Sequence, residues 1–460
     1  MQEENKLTTV KTILQIDNEL LDNITSLIKE NAEKSLLNIF ADLHPADIAE
    51  IINHIDIDSA KYAFSILDTI TAGEVITEID ENLREKILKD IDLKTITEIV
   101  DELYTDDATD IVSDLPEQIA RQVLKNIDKE DSEDVIELLK YPEDTAGGIM
   151  TSNFVSIDSN ATIKDAIAEV RKNAEEFDHI YHIYVLKEND ELLGIVTLKS
   201  LLTNPLQKKV KTVIQEDLMF VHPEMDQEEV ANIMNKYDLV AIPVVDDHRR
   251  MLGRITFDDI QDVIQEEASE DLQKIAGLTE EEEFSYSTFR VSRNRLPWLF
   301  VSLAGELLSA VVLASFQASI EKIIIASFFI PIVMAMGGSA GSQSSIVMVQ
   351  AINAGDFWVN DTLKRLFKEL RVALLNSLIC TLFLLGVTFY VFNAEIKFAY
   401  ILSFSLFVIM VNATMIGAIV PVIMKRLKID PAIATGPFVT TTNDVFGLLI
   451  YFTLLTIFLA

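Results

Sequence analysis

The sequence predicts a multidomain protein: an α-helical superhelix, then an α+β pair of tandem repeats, then an all-α transmembrane domain with five helices per chain. Three observations carry this. Before Phe289 lie 65 acidic and 26 basic residues, whereas from Phe289 onward there are 8 and 12 in mostly apolar sequence. Two segments repeat at a spacing of 59 residues. Between about residues 20 and 140, no strand-like run occurs and Gly and Pro are scarce. The expected boundaries are a tail (1–20), an acidic helical N domain (21–145), the repeats (146–268), a connecting helix and linker (259–288) and the transmembrane domain (289–460).

In the N-terminal part, apolar residues fall at helical spacing, as in Ile48, Ile51, Ile52 and Ile55. Short helices are expected at Asp47 to Ile55, Asp107 to Leu115 and Asp131 to Leu139, each opened by a polar cap. Most of the acidic side chains there read as a solvated face. The polar start, Met1 to Lys11, has no apolar core of a secretory signal, so the acidic part is expected in the cytosol. Its net charge repels nucleic acid and attracts cations. Cys380 is the only cysteine, which excludes a disulfide within the chain and zinc-finger sites.

The repeat pairs Tyr184–Leu186 and Leu193–Thr197 with Pro243–Val245 and Leu252–Thr256. Each copy reads as strand, polar turn, strand and helix, preceded by an amphipathic helix at Thr162–Asn173 or Gln227–Tyr237. This tandem β-β-α pattern resembles a CBS-domain pair, a module that binds regulatory ligands. Acids then cluster: Asp258, Asp259, Asp262, Glu266, Glu267, Glu270 and Asp271, followed by Glu280–Glu283. Asp259, Asp262, Glu266 and Glu270 share one helix face, where each like-charged pair costs about 0.2–0.5 kcal/mol. A divalent cation is the natural compensation on the helix that links the second repeat to the membrane.

Five apolar stretches are long enough to cross a hydrocarbon core: Pro297–Phe316, Ile323–Val349, Val372–Phe392, Phe398–Met424 and Pro431–Ala460. Basic residues cluster before the first, between the second and third, and between the fourth and fifth. The positive-inside bias therefore places the N-terminus in the cytosol and the C-terminus outside, in a multi-pass protein of the cell membrane. Only Glu306 and Asp444 are carboxylates within spans. Glu306 reads either as a buried carboxyl that stays protonated or pairs with a helix neighbour, or as one that faces a water-filled path. Asp444 follows Thr440, Thr441, Thr442 and Asn443, an oxygen-rich stripe that suits a hydrated pore wall; the other reading is a polar cluster between helices. Gly337, Gly338 and Ser339 open a small-residue run that allows close packing or exposes carbonyls where the helix loosens. Pro331 and Pro437 are expected to kink or break their spans.

All six histidines (His44, His54, His179, His182, His222, His248) precede the spans, which leaves the membrane part with oxygen ligands. Such ligands suit Mg²⁺ and Ca²⁺ better than transition metals. One carboxylate cannot strip Mg²⁺ of its water, so a largely hydrated ion is expected, with two copies of Asp444 near the axis of a symmetric dimer. There is no nucleophile–base set, phosphate-binding glycine loop or metal–histidine site of an enzyme.

Together these residues resemble the MgtE family of magnesium channels and transporters. The motifs are Tyr141–Met150 (YPEDTAGGIM), Thr256–Gly277 (TFDDIQDVIQEEASEDLQKIAG), Phe329–Gln343 (FIPIVMAMGGSAGSQ) and Asp430–Gly447 (DPAIATGPFVTTTNDVFG). The resemblance implies a homodimer in the bilayer, with an N domain, a CBS pair, a "plug" helix and five spans. It makes Mg²⁺ both substrate and regulator. It implies Asp444 as the pore carboxylate, with Gly337, Gly338, Ser339, Pro437, Thr440, Thr441 and Asn443 lining the pore. Regulatory Mg²⁺ would fall to Gly148, Asp226, Glu228, Asp238, Asp259, Asp262, Glu267, Glu270 and Asp271. Two departures stand out. The family's Gly-Gly-Asn reads Gly337-Gly338-Ser339, which removes an amide near an expected break in the pore helix. Where nucleotide-binding members carry an acidic ribose ligand, the first repeat has Ser200 and only the second keeps an acid, Asp259, so adenine nucleotide is a weak expectation. Alternatives are a transporter of Mn²⁺ or Co²⁺ with the same gating, or a membrane cation sensor that conducts nothing.

Overall fold

The computed structural model describes residues 16–174, 177, 179–187, 189–278, 288–353, 359–434 and 436–459. The acidic run Glu280–Glu283 lies outside these described residues. The chain forms two compact units, Met1–Val263 and Ile264–Ala460.

The first unit begins with short helices from Asn18–Lys29 to Lys129–Leu138. Their apolar faces meet in one core that includes Ile24, Leu36, Ile51, Ile76, Ile99 and Val135. Polar bonds between residues 27 to 30 apart repeat along this stack, as a superhelix requires. Asn53 and Asp80 exchange bonds of 3.2 and 3.1 Å, Arg84 Nε donates to Asp114 Oδ2 at 2.7 Å, and the Asp128 amide donates to Asp101 at 2.9 Å. Three helices start two residues earlier than expected, at Pro45, Thr105 and Lys129. Asp47 is therefore the third residue of its helix: its carboxylate reaches back to the His44 amide while the His44 ring caps Ala46. Asp107 and Asp131 hold the same first-turn position, where a carboxylate also meets the positive end of the helix dipole.

The repeats follow. Strands β1 (Ser156–Asp158), β2 (His182–Leu186) and β3 (Leu192–Thr197) form one sheet, with β1 parallel and β3 antiparallel to β2. Strands β4 (Ala241–Val245) and β5 (Met251–Thr256) form the second, antiparallel sheet. Both hairpins carry a register shift at the same place, Val185/Leu186 and Val244/Val245, one repeat apart. They also exchange equivalent bonds: Leu192 N donates to Arg249 O at 2.8 Å and Met251 N to Asp190 O at 3.1 Å. Tyr184, Leu192, Ile195, Val245 and Met251 pack between the repeats. The preceding helices, Ile163–Lys172 and Gln227–Lys236, are capped by Thr162 and Asp226. The helix after the second repeat runs unbroken from Phe257 to Ala276.

In the second unit, five helices are long and apolar enough to cross a membrane. We number them as spans: Thr288–Ser315, Ile330–Asn353, Val359–Tyr390, Ile396–Arg426 and Pro437–Leu459. A short helix, Ile324–Ser327, precedes the second. The break expected near Gly337–Ser339 is not there, because the second helix is continuous from Ile330 and the interruption falls at Phe328–Phe329, before Pro331. Pro437 likewise opens its helix, after the turn Pro431–Ala434. The core includes Phe329, Leu402, Leu406, Tyr451 and Phe452, and Tyr451 Oη donates to Ala326 O at 2.9 Å.

Candidate functional site

The acids of the first unit and the carboxylates of the apolar spans make two distinct settings. In the first unit, Asp259 stands at the start of the helix Phe257–Ala276, where its Oδ2 accepts from Thr256 N at 3.1 Å and Thr256 Oγ1 at 2.6 Å. Ser200 holds the matching place in the first repeat without a charge: its amide donates to the capping Thr197 Oγ1 at 3.2 Å, and its hydroxyl accepts from that Oγ1 at 3.2 Å. Two acids of the helix Thr105–Asp114, Asp106 and Asp107, share electrostatic surroundings with Asp259. Burial, reinforced by the Asp106 charge, pushes Asp259 up to about 7. Burial and then Asp110 push Asp106 up to about 6, although backbone bonds oppose this. Asp107 rises well above the ordinary range through burial, then Asp106 and Asp259. Glu78 lies within electrostatic reach of Asp107 and of Asp262. Asp106 Oδ1 is buried without a hydrogen-bond partner.

Asp106, Asp107 and Glu78 are absent from the sequence expectation. Their helical spacing marks a solvated face, and nothing local says that a distant segment comes to lie beside them. The remaining regulatory candidates are dispersed. Asp226 is exposed and caps its helix by accepting from Glu228 N at 2.9 Å. Asp238 is exposed at a left-handed φ of 51°. Gly148 sits where a side chain would meet Pro142 O at 2.3 Å, so the close turn requires glycine. Glu270 pairs with Lys274 at 2.7 Å, and Asp271 accepts from Asn353 Nδ2 at 2.6 Å. Glu267 lies half-buried on the same helix. Among the described residues, no three Asp, Glu, His or Cys side chains converge as a ready metal cage.

In the second unit, Asp444 is only 5% exposed. Its carboxyl lies within side-chain interaction reach of that of Glu306 on the first span. Not all the residues expected to line a pore face open space. Thr441 packs on Gly305, where an added Cβ would stand 2.2 Å from Thr441 Cγ2. Asn443, 3% exposed, directs Nδ2 to Gly337 O at 3.5 Å. Thr441 and Asn443 are thus at helix contacts, because small residues on the facing spans draw the backbones close. Thr440 and Ser339 are exposed on the single chain, and Gly338 has open space beside it. Pro437 opens the fifth span. The glycine run chiefly packs: a side chain on Gly417 would come within 2.1 Å of Gly341 O.

Known proteins place these features together. Residues 330–454 match the MgtE divalent cation transporter family, 43–144 the MgtE intracellular N domain, and 146–206 and 210–266 CBS domains. The magnesium transporter MgtE of Bacillus subtilis is 33% identical over 322 residues, which cover 70% of this chain and 71% of that protein. That of Thermus thermophilus is 31% identical, over 69% and 71%. The crystal structure of the cytosolic domain of the Mg²⁺ channel MgtE in complex with ATP is similar with a TM-score of 0.50 and 27% identity; the match covers 53% of this chain and all of that one. The relatives are transporters by name, as the reading against an enzyme expects. With a helical N domain, a CBS pair and five apolar spans in the same order, the chain belongs to the MgtE family of magnesium transporters.

Proposed function

We propose that this protein is a homodimeric Mg²⁺ entry channel or transporter of the cell membrane, closed by Mg²⁺ on its cytosolic side. Asp444 contacts the permeating ion, and the acids around the CBS pair and connecting helix read the internal concentration. The positive-inside bias puts the N-terminus in the cytosol, so the membrane potential drives Mg²⁺ inward.

The observation that carries this reading is the setting of Asp259. It opens the helix that continues to Ala276, and it shares a half-buried environment with Asp106 and Asp107. Two carboxylates about 4 Å apart repel by about 4 kcal/mol at an effective dielectric of 20. Bound Mg²⁺ replaces that repulsion with bridging and favours the compact, closed arrangement. Turning a gate from 99:1 to 1:99 takes about 5.5 kcal/mol of differential binding. Several weak sites supply this together, which suits acids that approach in pairs and form no cage. Asp262, Glu267, Glu270, Asp271, Asp226, Glu228 and Asp238, with Gly148, belong to this sensing set. The solved relative was crystallised with ATP. In this chain, adenine nucleotide would have Asp259 and not Ser200 as its acidic ligand.

The test is flux into proteoliposomes with Mg²⁺ varied on each side. Asp444→Ala should abolish uptake. Neutralising Asp259, Asp262, Glu267 and Glu270 together should give flux that persists at millimolar internal Mg²⁺. Uptake unchanged in the first variant sinks the pore assignment, and normal shut-off in the second sinks the sensor.

A further inference from the structure

The first span carries a carboxylate that this mechanism leaves unused. Glu306 lies within the helix Thr288–Ser315, and its carboxyl meets that of Asp444 on the fifth span. Two contacts fix how these helices align. Gly305 lies against Thr441, and just beyond the end of the first span Ser319 Oγ, on the short helix Gln317–Lys322, is 2.8 Å from Thr456 Oγ1. Residue numbers rise together on both sides, so the helices run parallel and Ser309 stands level with Val445, beside Asp444. Ser309 is 3% exposed on the face that carries Gly305, and its Oγ has no hydrogen-bond partner. On the other flank of Asp444, the buried Asn443 leaves its Oδ1 without one.

No basic residue lies between Leu296 and Phe316 or between Gly436 and Leu459 to neutralise the pair. Two carboxyls in contact inside hydrocarbon need a shared proton or a cation, since two bare charges there repel strongly. The donor set is all oxygen, which is the preference of hard divalent cations. Glu306 is exposed on the single chain, so the side of the pair away from the helix contact is open to an ion.

We propose that Glu306 is a second ion-binding carboxylate of the permeation site, acting with Asp444 and the Ser309 hydroxyl to coordinate a divalent cation directly. This rests on the reading of Asp444 as the ion's contact. The consequence is for selectivity. A single carboxylate holds Mg²⁺ through its waters, because Mg²⁺ dehydrates reluctantly. Two carboxylates and a hydroxyl replace part of the water shell. That favours Mn²⁺, which carboxylate ligands also suit. Glu306 thus sets how well Mn²⁺ competes with Mg²⁺.

The experiment is Mg²⁺ influx into proteoliposomes containing the full-length protein, with Mn²⁺ as competitor, for the unsubstituted protein, Glu306→Gln, Glu306→Asp and Asp444→Asn. Asp444→Asn should stop flux. Glu306→Gln should lower Mg²⁺ flux and, beyond that, raise the Mn²⁺ needed for half inhibition about tenfold or more, as for loss of a metal-site partner. Glu306→Asp, which keeps the charge but retracts it, should fall between. A purely structural role for Glu306 would lower flux and leave the Mn²⁺/Mg²⁺ ratio alone. An unchanged ratio in Glu306→Gln overturns the proposal; if that variant does not fold, an unchanged ratio in Glu306→Asp does so. Normal conduction by Asp444→Asn, in contrast, overturns the underlying pore reading.

Discussion

Lys274 Nζ lies 2.7 Å from Asp430 Oδ2, joining the helix Phe257–Ala276 to the turn between the fourth and fifth spans. The ammonium bonds Glu270 at the same distance, and the next acid, Asp271, takes a bond from Asn353 at the end of the second span. Burial disfavours the lysine charge, but Asp430 and Glu270 outweigh it and hold Lys274 above the ordinary lysine range. Two of these three contacts, Lys274–Asp430 and Asp271–Asn353, therefore tie the connecting helix to membrane-end segments.

The first prediction follows from that tie. The pair is partly exposed, at 25% and 30%, so its contribution is about 1 kcal/mol. If this contact belongs to the closed state, Lys274→Gln should raise the internal Mg²⁺ for half closure about fivefold, the factor equivalent to 1 kcal/mol. Asp430→Asn should act in the same direction. The double variant should add little beyond either single one, since both remove one interaction. Flux against internal Mg²⁺ measures all three, and closure at the unsubstituted concentration would show the contact to be incidental.

The second prediction concerns close packing in the spans. A Cβ on Gly417 would lie 2.1 Å from Gly341 O, which is backbone and cannot rotate away. Gly417→Ala should force the second and fourth spans apart and lower thermal stability in detergent by about 1–3 kcal/mol equivalent. Gly386 has open space around its Cα, so Gly386→Ala should be near neutral in the same measurement. Gly305 is intermediate, because its obstacle is the Thr441 side chain; Thr441→Ala should partly rescue Gly305→Ala. Equal melting temperatures for Gly417→Ala and Gly386→Ala would refute the packing argument.

Much of this architecture is legible in the sequence because its signals are long or repeated. Five apolar stretches and a 59-residue repeat leave little choice of layout, and Asp444 stands out where charge is scarce. Local starts are less legible. An acid at Asp47, Asp107 or Asp131 resembles a cap, although each sits in the first turn of a helix that has already begun. Strand β1 has three residues and pairs only in parallel with a distant strand, so neither length nor alternation reveals it. The glycine run fits both packing and a loosened helix; the approach of Gly417 and Asn443 to Gly341 decides for packing. The proximity of Asp106 and Asp107 to Asp259 is the largest gap, since it depends on how separate segments fold together.

That proximity gives the third prediction. Asp106 is pushed up to about 6 and Asp259 to about 7, while an unfolded aspartate titrates near 3.9. Between those values the folded state binds more protons than the unfolded one. The stabilising contribution is therefore complete below about pH 4 and is lost as pH rises through 6 to 7. Without divalent cation, the acidic unit of the full-length protein should thus become easier to unfold and to cleave as pH rises from 5 to 7.5. Mg²⁺ should flatten this slope, because a cation at the cluster compensates the charges that deprotonation exposes. Asp107→Asn removes one of the repelling charges without touching the Thr256 bonds to Asp259. It should reduce both the pH slope and the gain from Mg²⁺. Limited proteolysis across this pH range, with and without millimolar Mg²⁺, reads both effects. If the slope persists unchanged in Asp107→Asn, the acids at 106, 107 and 259 do not act as one cluster, and the sensing set must be sought elsewhere along the connecting helix.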